Sequence, residues 1–142
     1  MGTWGMGHFD SDTAADFSGS LDDAPPDKRE DMIREALAFA ARTGPEEYLD
    51  ADDGVVAVAA AALLAAQRPG GTPVDTAYGP DEPLPPLLTP DLCELAVRAL
   101  GRVIAKESEL LDLWDDAGEG EQWSAGVREL RAFLAGADAA AL

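Results

Sequence analysis

Apolar residues recur at the three-and-four spacing of an α-helix in several separate stretches of this chain. The first is short. Ala14, Phe17 and Leu21 share one face, while Asp12 and Asp16 lie four apart on another. A helix is expected over about 12–21, with Asp10 or Ser11 as its N-cap. The run Asp22-Asp23-Ala24-Pro25-Pro26 breaks it, and Pro26 suits the first turn of the next helix. That second helix carries Ile33, Ala36, Leu37 and Ala40 on one stripe, widened by Met32 and Phe39. It is expected to run to about Arg42 and to stop at Gly44, a suitable C′ residue before Pro45. Asp50 is expected to cap a third helix, with Asp52 and Asp53 in the first turn, where the helix dipole favours acids. From 55 to 66 there is no polar residue, and a helix that is apolar all round is buried all round. Val55-Val56-Ala57-Val58 alone reads as a strand, but the alanine-rich continuation decides for a helix at the centre of the fold.

Residues 68–89 hold six prolines and several glycines. They read as a long loop, wrapped on the surface through Tyr78, Leu84, Leu87 and Leu88. Thr89-Pro90-Asp91 is a helix start, with Thr89 as N-cap and Pro90 at the first position. Leu92, Ala96, Ala99, Leu100 and Val103 are expected to face inward, flanked by Cys93, Val97 and Ile104. Ser108 caps a short helix over 109–116 that carries Leu110, Leu111 and Trp114 and is ended by Gly118 and Gly120. Trp123, Val127, Leu130 and Leu134 form the clearest stripe of all, and the tail after Gly136 is expected to fray. The pattern predicts one all-α domain over 1–142, with five or six helices around the 55–66 helix and no strand.

Composition narrows the function classes. The chain has 142 residues and a net charge of −18, from 28 acids against 10 Lys and Arg. Such a surface repels nucleic-acid phosphates and gains nothing on anionic membranes. A single cysteine, Cys93, excludes an intrachain disulfide. The longest apolar run, twelve residues, falls short of the roughly 20 a membrane span needs. The first ten residues contain no Lys or Arg and no apolar run, so no secretory leader is expected and the expected compartment is the cytoplasm.

The acids are segregated. Residues 1–31 carry a net −6, residues 46–53 a net −5 and residues 107–121 a net −7, which together equal the whole net charge. The last two stretches contain no base. Acids at helix starts are explained by the dipole, but Asp112, Asp115 and Asp116, toward the end of their helix, oppose it. Glu107, Glu109, Asp112, Asp115, Asp116, Glu119 and Glu121, with Trp114 among them, are therefore the candidate binding surface for a basic protein partner. An immunity protein or antitoxin facing a basic toxin is one concrete form of that reading.

Two alternatives remain. Asp10, Asp12 and Asp16 could hold a divalent metal in an enzyme, against the simpler role of capping the first helix. A DNA mimic would need acids spaced like phosphates. The segment Asp50-Ala51-Asp52-Asp53-Gly54 does not fit a calcium loop, since its glycine falls at the fifth position and Ala61 at the twelfth. His8 reads as a surface or capping residue and Cys93 as core, and no nucleophile elbow, phosphate loop or dinucleotide fingerprint is present. No catalytic residue and no cofactor is expected.

The opening residues carry a resemblance. Gly2, Trp4, Gly5, Gly7, Phe9, Asp10, Asp12, Ala14 or Ala15, Asp16 and Phe17 follow the pattern Met-Gly-x-Trp-Gly-x-Gly, Phe, an acidic or amide pair and Ala-x-Asp with an aromatic. This pattern resembles a bacterial family known as domain of unknown function 4259, which often has Asn where this chain has Ser11. The alanine-rich helix and Glu109-Leu110-Leu111-Asp112-Leu113-Trp114 are also similar to it. The resemblance implies a shared fold and leaves the activity open.

Overall fold

The structure is a computed structural model. It describes residues 12–67 and 89–139, excluding the side chains of Asp12 and of residues 137–139. Among them are six helices: α1 (Asp12–Asp23), α2 (Pro26–Arg42), α3 (Ala51–Ala66), α4 (Pro90–Val103), α5 (Glu109–Asp116) and α6 (Gly120–Ala139). The loop expected over 68–89, apart from Thr89, the expected N-cap at Asp10 or Ser11 and the Gly/Trp segment lie outside the described residues.

Local chemistry sets the ends. Pro26 occupies the first position of α2 and Pro90 that of α4, where the missing N–H is no loss. Thr89 Oγ1 accepts a hydrogen bond from Leu92 N at 3.2 Å. Ser108 Oγ does the same, more weakly, for Leu111 N at 3.4 Å. α5 ends in a Schellman motif. Gly118 takes φ +79°, its N–H donates to Asp115 O, and Glu119 N donates to Trp114 O, both at 3.0 Å. Gly120 does not help to end α5, as the sequence suggested, but opens α6. A Cβ there would overlap the Asp115 carboxylate, which would have to turn away, and would lie 3.0 Å from Asp115 Cα, so the α5–α6 corner is tight. α6 continues past Gly136 to Ala139.

α3 is the hub, packing against α1, α2, α4, α5 and α6. Ala57, Ala59, Ala60 and Ala61 are fully buried, and Leu63 and Leu64 join them in the core. Small side chains let neighbouring backbones approach, and Gly54 takes this furthest. A Cβ there would touch Leu110 Cβ and Cδ2, each at 3.4 Å. α4 lies between α2 and α6 and presents Leu92, Cys93, Ala96, Ala99, Leu100 and Val103 to the core. Cys93 is thus core outright rather than flanking. From α2 come Ile33, Leu37 and Ala40, and from α6 Trp123, Val127 and Leu134. Phe39 does not widen the buried stripe of α2. It is 43% exposed and lies 5.5 Å from the Arg42 guanidinium carbon.

Two arginines, buried Arg29 and exposed Arg131, donate to backbone carbonyls of other helices. Arg29 donates from Nε to Leu21 O at 2.8 Å and from Nη2 to Asp22 O at 3.3 Å, closing the C-terminus of α1. Arg131 donates to Val97 O at 3.0 Å and ties α6 to α4. No helix among the described residues is long and apolar enough to cross a membrane.

Candidate functional site

Two chain segments with no helix of their own meet at the N-terminal end of α3. Leu49 and Ser108 form an isolated parallel bridge. Leu49 N donates to Glu107 O and Glu109 N donates to Leu49 O, both at 2.9 Å. The connector before α3 therefore runs beside the connector before α5, and along this seam the acidic stretch 46–53 lies beside the first part of the stretch 107–121, residues 107–112. The first stretch touches it through α1, where Thr13 Oγ1 hydrogen-bonds Asp52 Oδ1 at 3.1 Å.

Side chains stitch the seam further. Glu109 Oε1 accepts from Ala51 N at 2.8 Å. Asp50 stands at the N-cap position of α3 but makes no capping hydrogen bond with its side chain. The cap is thus delivered across the seam by Glu109, a correction to the expectation that Asp50 supplies it. Tyr48, 50% exposed, donates its hydroxyl to Asp112 Oδ2 at 2.8 Å. That hydrogen bond, with the negative charges of Asp112, Glu109 and Glu107, pushes the Tyr48 phenol up to about 12.

Beneath the seam lies Arg102 of α4, 8% exposed. Its guanidinium donates to Thr43 O at 3.1 Å and Gly44 O at 3.2 Å on one connector, and to Glu47 O. On the other connector it donates to Lys106 O and Glu107 O, both at 3.1 Å. Gly44 therefore acts as a backbone acceptor for Arg102, and α2 ends at an extended Thr43 instead of a left-handed glycine. Glu107 has φ +62°, the left-handed region, which costs a side-chain-bearing residue about 1–2 kcal/mol. The bridge and Arg102 hold it there.

The candidate acids divide. Glu109 and Asp112 are engaged in the seam, and Asp115 lies over the start of α6. Glu107, Asp112, Asp115, Asp116, Glu119 and Glu121 are all exposed. Trp114 is not part of that surface. It is 8% exposed and stacks on Trp123 with ring centroids 6.3 Å apart and planes at 11°. Asp16 is exposed on α1, whereas Trp4, Gly5, Gly7, Phe9, Asp10 and the side chain of Asp12 lie outside the described residues. Among the described residues no three His, Cys, Asp or Glu side chains are grouped to hold a metal ion. Neither Tyr48 nor Thr13 is marked by any sequence pattern, and Arg102 only faintly. The one available hint was an arginine amid the apolar residues Ala99, Leu100 and Val103 of α4.

Asp53 reports on the crowding. Partial burial and then the charges of Asp50 and Asp52 raise its carboxyl above the ordinary 3.8. The folded chain then holds this proton more tightly than the unfolded one. The contribution to stability is fully present below pH 3.8 and is lost as pH rises through the folded value. Asp53→Asn is expected to raise Tm at pH 7 and to leave it unchanged below pH 3.8. Thermal melts at the two pH values check this, and a lower Tm at pH 7 would show that the helix dipole outweighs the crowding.

No curated protein and no solved structure matches the chain. The family described as Domain of unknown function (DUF4259) does match, over residues 2–126. Its span runs from the N-terminal Gly/Trp segment through all of α1 to α5 and into α6. The chain belongs to that family.

Proposed function

We propose that this protein is a non-catalytic binding module that captures a basic protein partner on its acidic seam. The observation that carries this reading is the Leu49–Ser108 bridge, which sets the base-free acidic stretch 46–53 beside the start of a second one, 107–121. A field of one sign speeds association with an oppositely charged partner and selects against acidic ones. Arg102 beneath the seam offsets one unit of this charge, and its donors go to backbone carbonyls, so they leave the carboxylates unpaired with it. The placement of Asp115 and Asp116 supports the same reading. They close a helix whose last turn contains no base, against the dipole, so helix stability does not account for them.

An immunity protein or antitoxin opposing a basic toxin is the concrete form we favour, and the compartment consistent with it is the cytoplasm. A DNA mimic is the special case in which the partner is itself a nucleic-acid-binding protein. The test is a pull-down from host lysate treated with nuclease, washed at low and then high salt. A basic protein held at low salt and released at high salt is expected. Glu46→Lys with Asp116→Lys reverses two exposed charges. The pair is expected to weaken capture at least tenfold at low ionic strength while leaving Tm within about 3 °C. Unchanged affinity in that variant would sink the acidic-surface reading.

A further inference from the structure

We infer that the seam is a charge-loaded joint that opens locally, releasing α5 from the N-terminus of α3 while the rest of the bundle stays folded, and that ionic strength sets how often it opens. The inference stands apart from any partner. The polar contacts that close the joint lie at one place: the two backbone hydrogen bonds of the Leu49–Ser108 bridge, the Ala51–Glu109 cap, the Tyr48–Asp112 hydrogen bond and the guanidinium of Arg102, which spans both connectors. The apolar contact between α5 and the start of α3 is Leu110 against Gly54. Against them stands like charge on both sides: the Glu109 carboxylate reaches the backbone of Ala51, between Asp50 and Asp52 in the chain, and Glu107 and Asp112 stand beside Glu109 on its own connector and helix. Glu107 adds both a charge and a left-handed backbone to the closed state. α5 has only eight residues and cannot persist as a helix without packing. The core of α4, by contrast, is enclosed by α2, α3 and α6. A short, repelled element beside a well-packed one is where sub-global opening occurs, and repulsion between surface charges is what salt screens.

Amide hydrogen exchange on the full chain, normalised to unstructured-peptide rates, tests this. The probes are the amides of Leu49, Ala51 and Glu109, with those of Ala96 and Leu100 inside α4 as reference. In 10 mM salt the seam amides are expected to exchange at least tenfold faster than the reference, with little dependence on low urea. They are expected to slow about tenfold in 0.5 M NaCl. Glu107→Gly removes one charge and the strain, and is expected to slow the seam amides several-fold at low salt without moving the reference. Seam and reference amides sharing one rate and one urea slope would overturn the inference, because opening would then be global. So would seam rates that ignore salt, or that are unchanged in Glu107→Gly.

Discussion

Arg102→Ala is expected to destabilise the protein by about 3–5 kcal/mol, more than any other single change outside the apolar core. The guanidinium is 8% exposed and satisfies carbonyls of Thr43, Gly44, Glu47, Lys106 and Glu107. Truncation leaves those acceptors to whatever water can reach them, and a hydrogen bond to a charged donor is worth about 1.5–3 kcal/mol. The two connectors would also lose their common anchor, so the Leu49–Ser108 bridge weakens with it. For a chain of this size the change corresponds to a fall in Tm of roughly 10–15 °C. Urea denaturation followed by circular dichroism measures it. Arg102→Lys keeps the charge and loses the planar fork, and it is expected to recover less than half of the loss. A loss below about 1 kcal/mol in Arg102→Ala would mean that water replaces the guanidinium at little cost.

The second large effect is expected at Trp114. Only Leu110 and Trp114 of α5 are buried, and Trp114 is the larger. Its ring lies against Trp123, so the pair joins α5 to α6 across the glycine corner. Removing so large a buried side chain costs about 3–5 kcal/mol. Part of the stacking contribution, about 0.5–1.5 kcal/mol, belongs to the pair and not to either ring alone. Trp114→Ala is therefore expected to lower Tm by about 10 °C and to abolish most of the near-ultraviolet circular dichroism that the stacked indoles produce. Trp114→Phe is expected to retain over half of the stability. A Trp114→Ala protein that melts within about 3 °C of the parent would show that α5 is held by the seam and not by its apolar face.

Most of the fold was legible because its signals are local. Pro26, the Thr89-Pro90 pair and Ser108 mark helix starts within three residues of the groups they satisfy. The polar-free run at 55–66 announced a central helix, and the hub position of α3 bears that out, but burial all round does not hold, since Val55, Val56, Ala62 and Ala66 are only half-buried. The seam was not legible, for the opposite reason. Arg102 reaches Thr43 across 59 positions, and Tyr48 reaches Asp112 across 64. No periodicity within one segment encodes a partner that distant. The acids themselves stood out as three blocks, but not which of them are engaged in structure. Glu109 was read as surface and turns out to cap another helix. Trp114 stood among acids in sequence and lies inside the molecule, because a helix turns neighbours in sequence to different sides.

The crowding around α3 also bears on how this chain can drift. Each of Ala57, Ala59, Ala60 and Ala61 is fully enclosed, and together they face neighbours in several directions. An added methyl on any one of them has no solvent to move into and must be absorbed by a second helix, whose shift disturbs a third. These alanines are therefore dimensions of the architecture. Tolerance to substitution is lowest at these enclosed alanines and rises outward to the exposed charges.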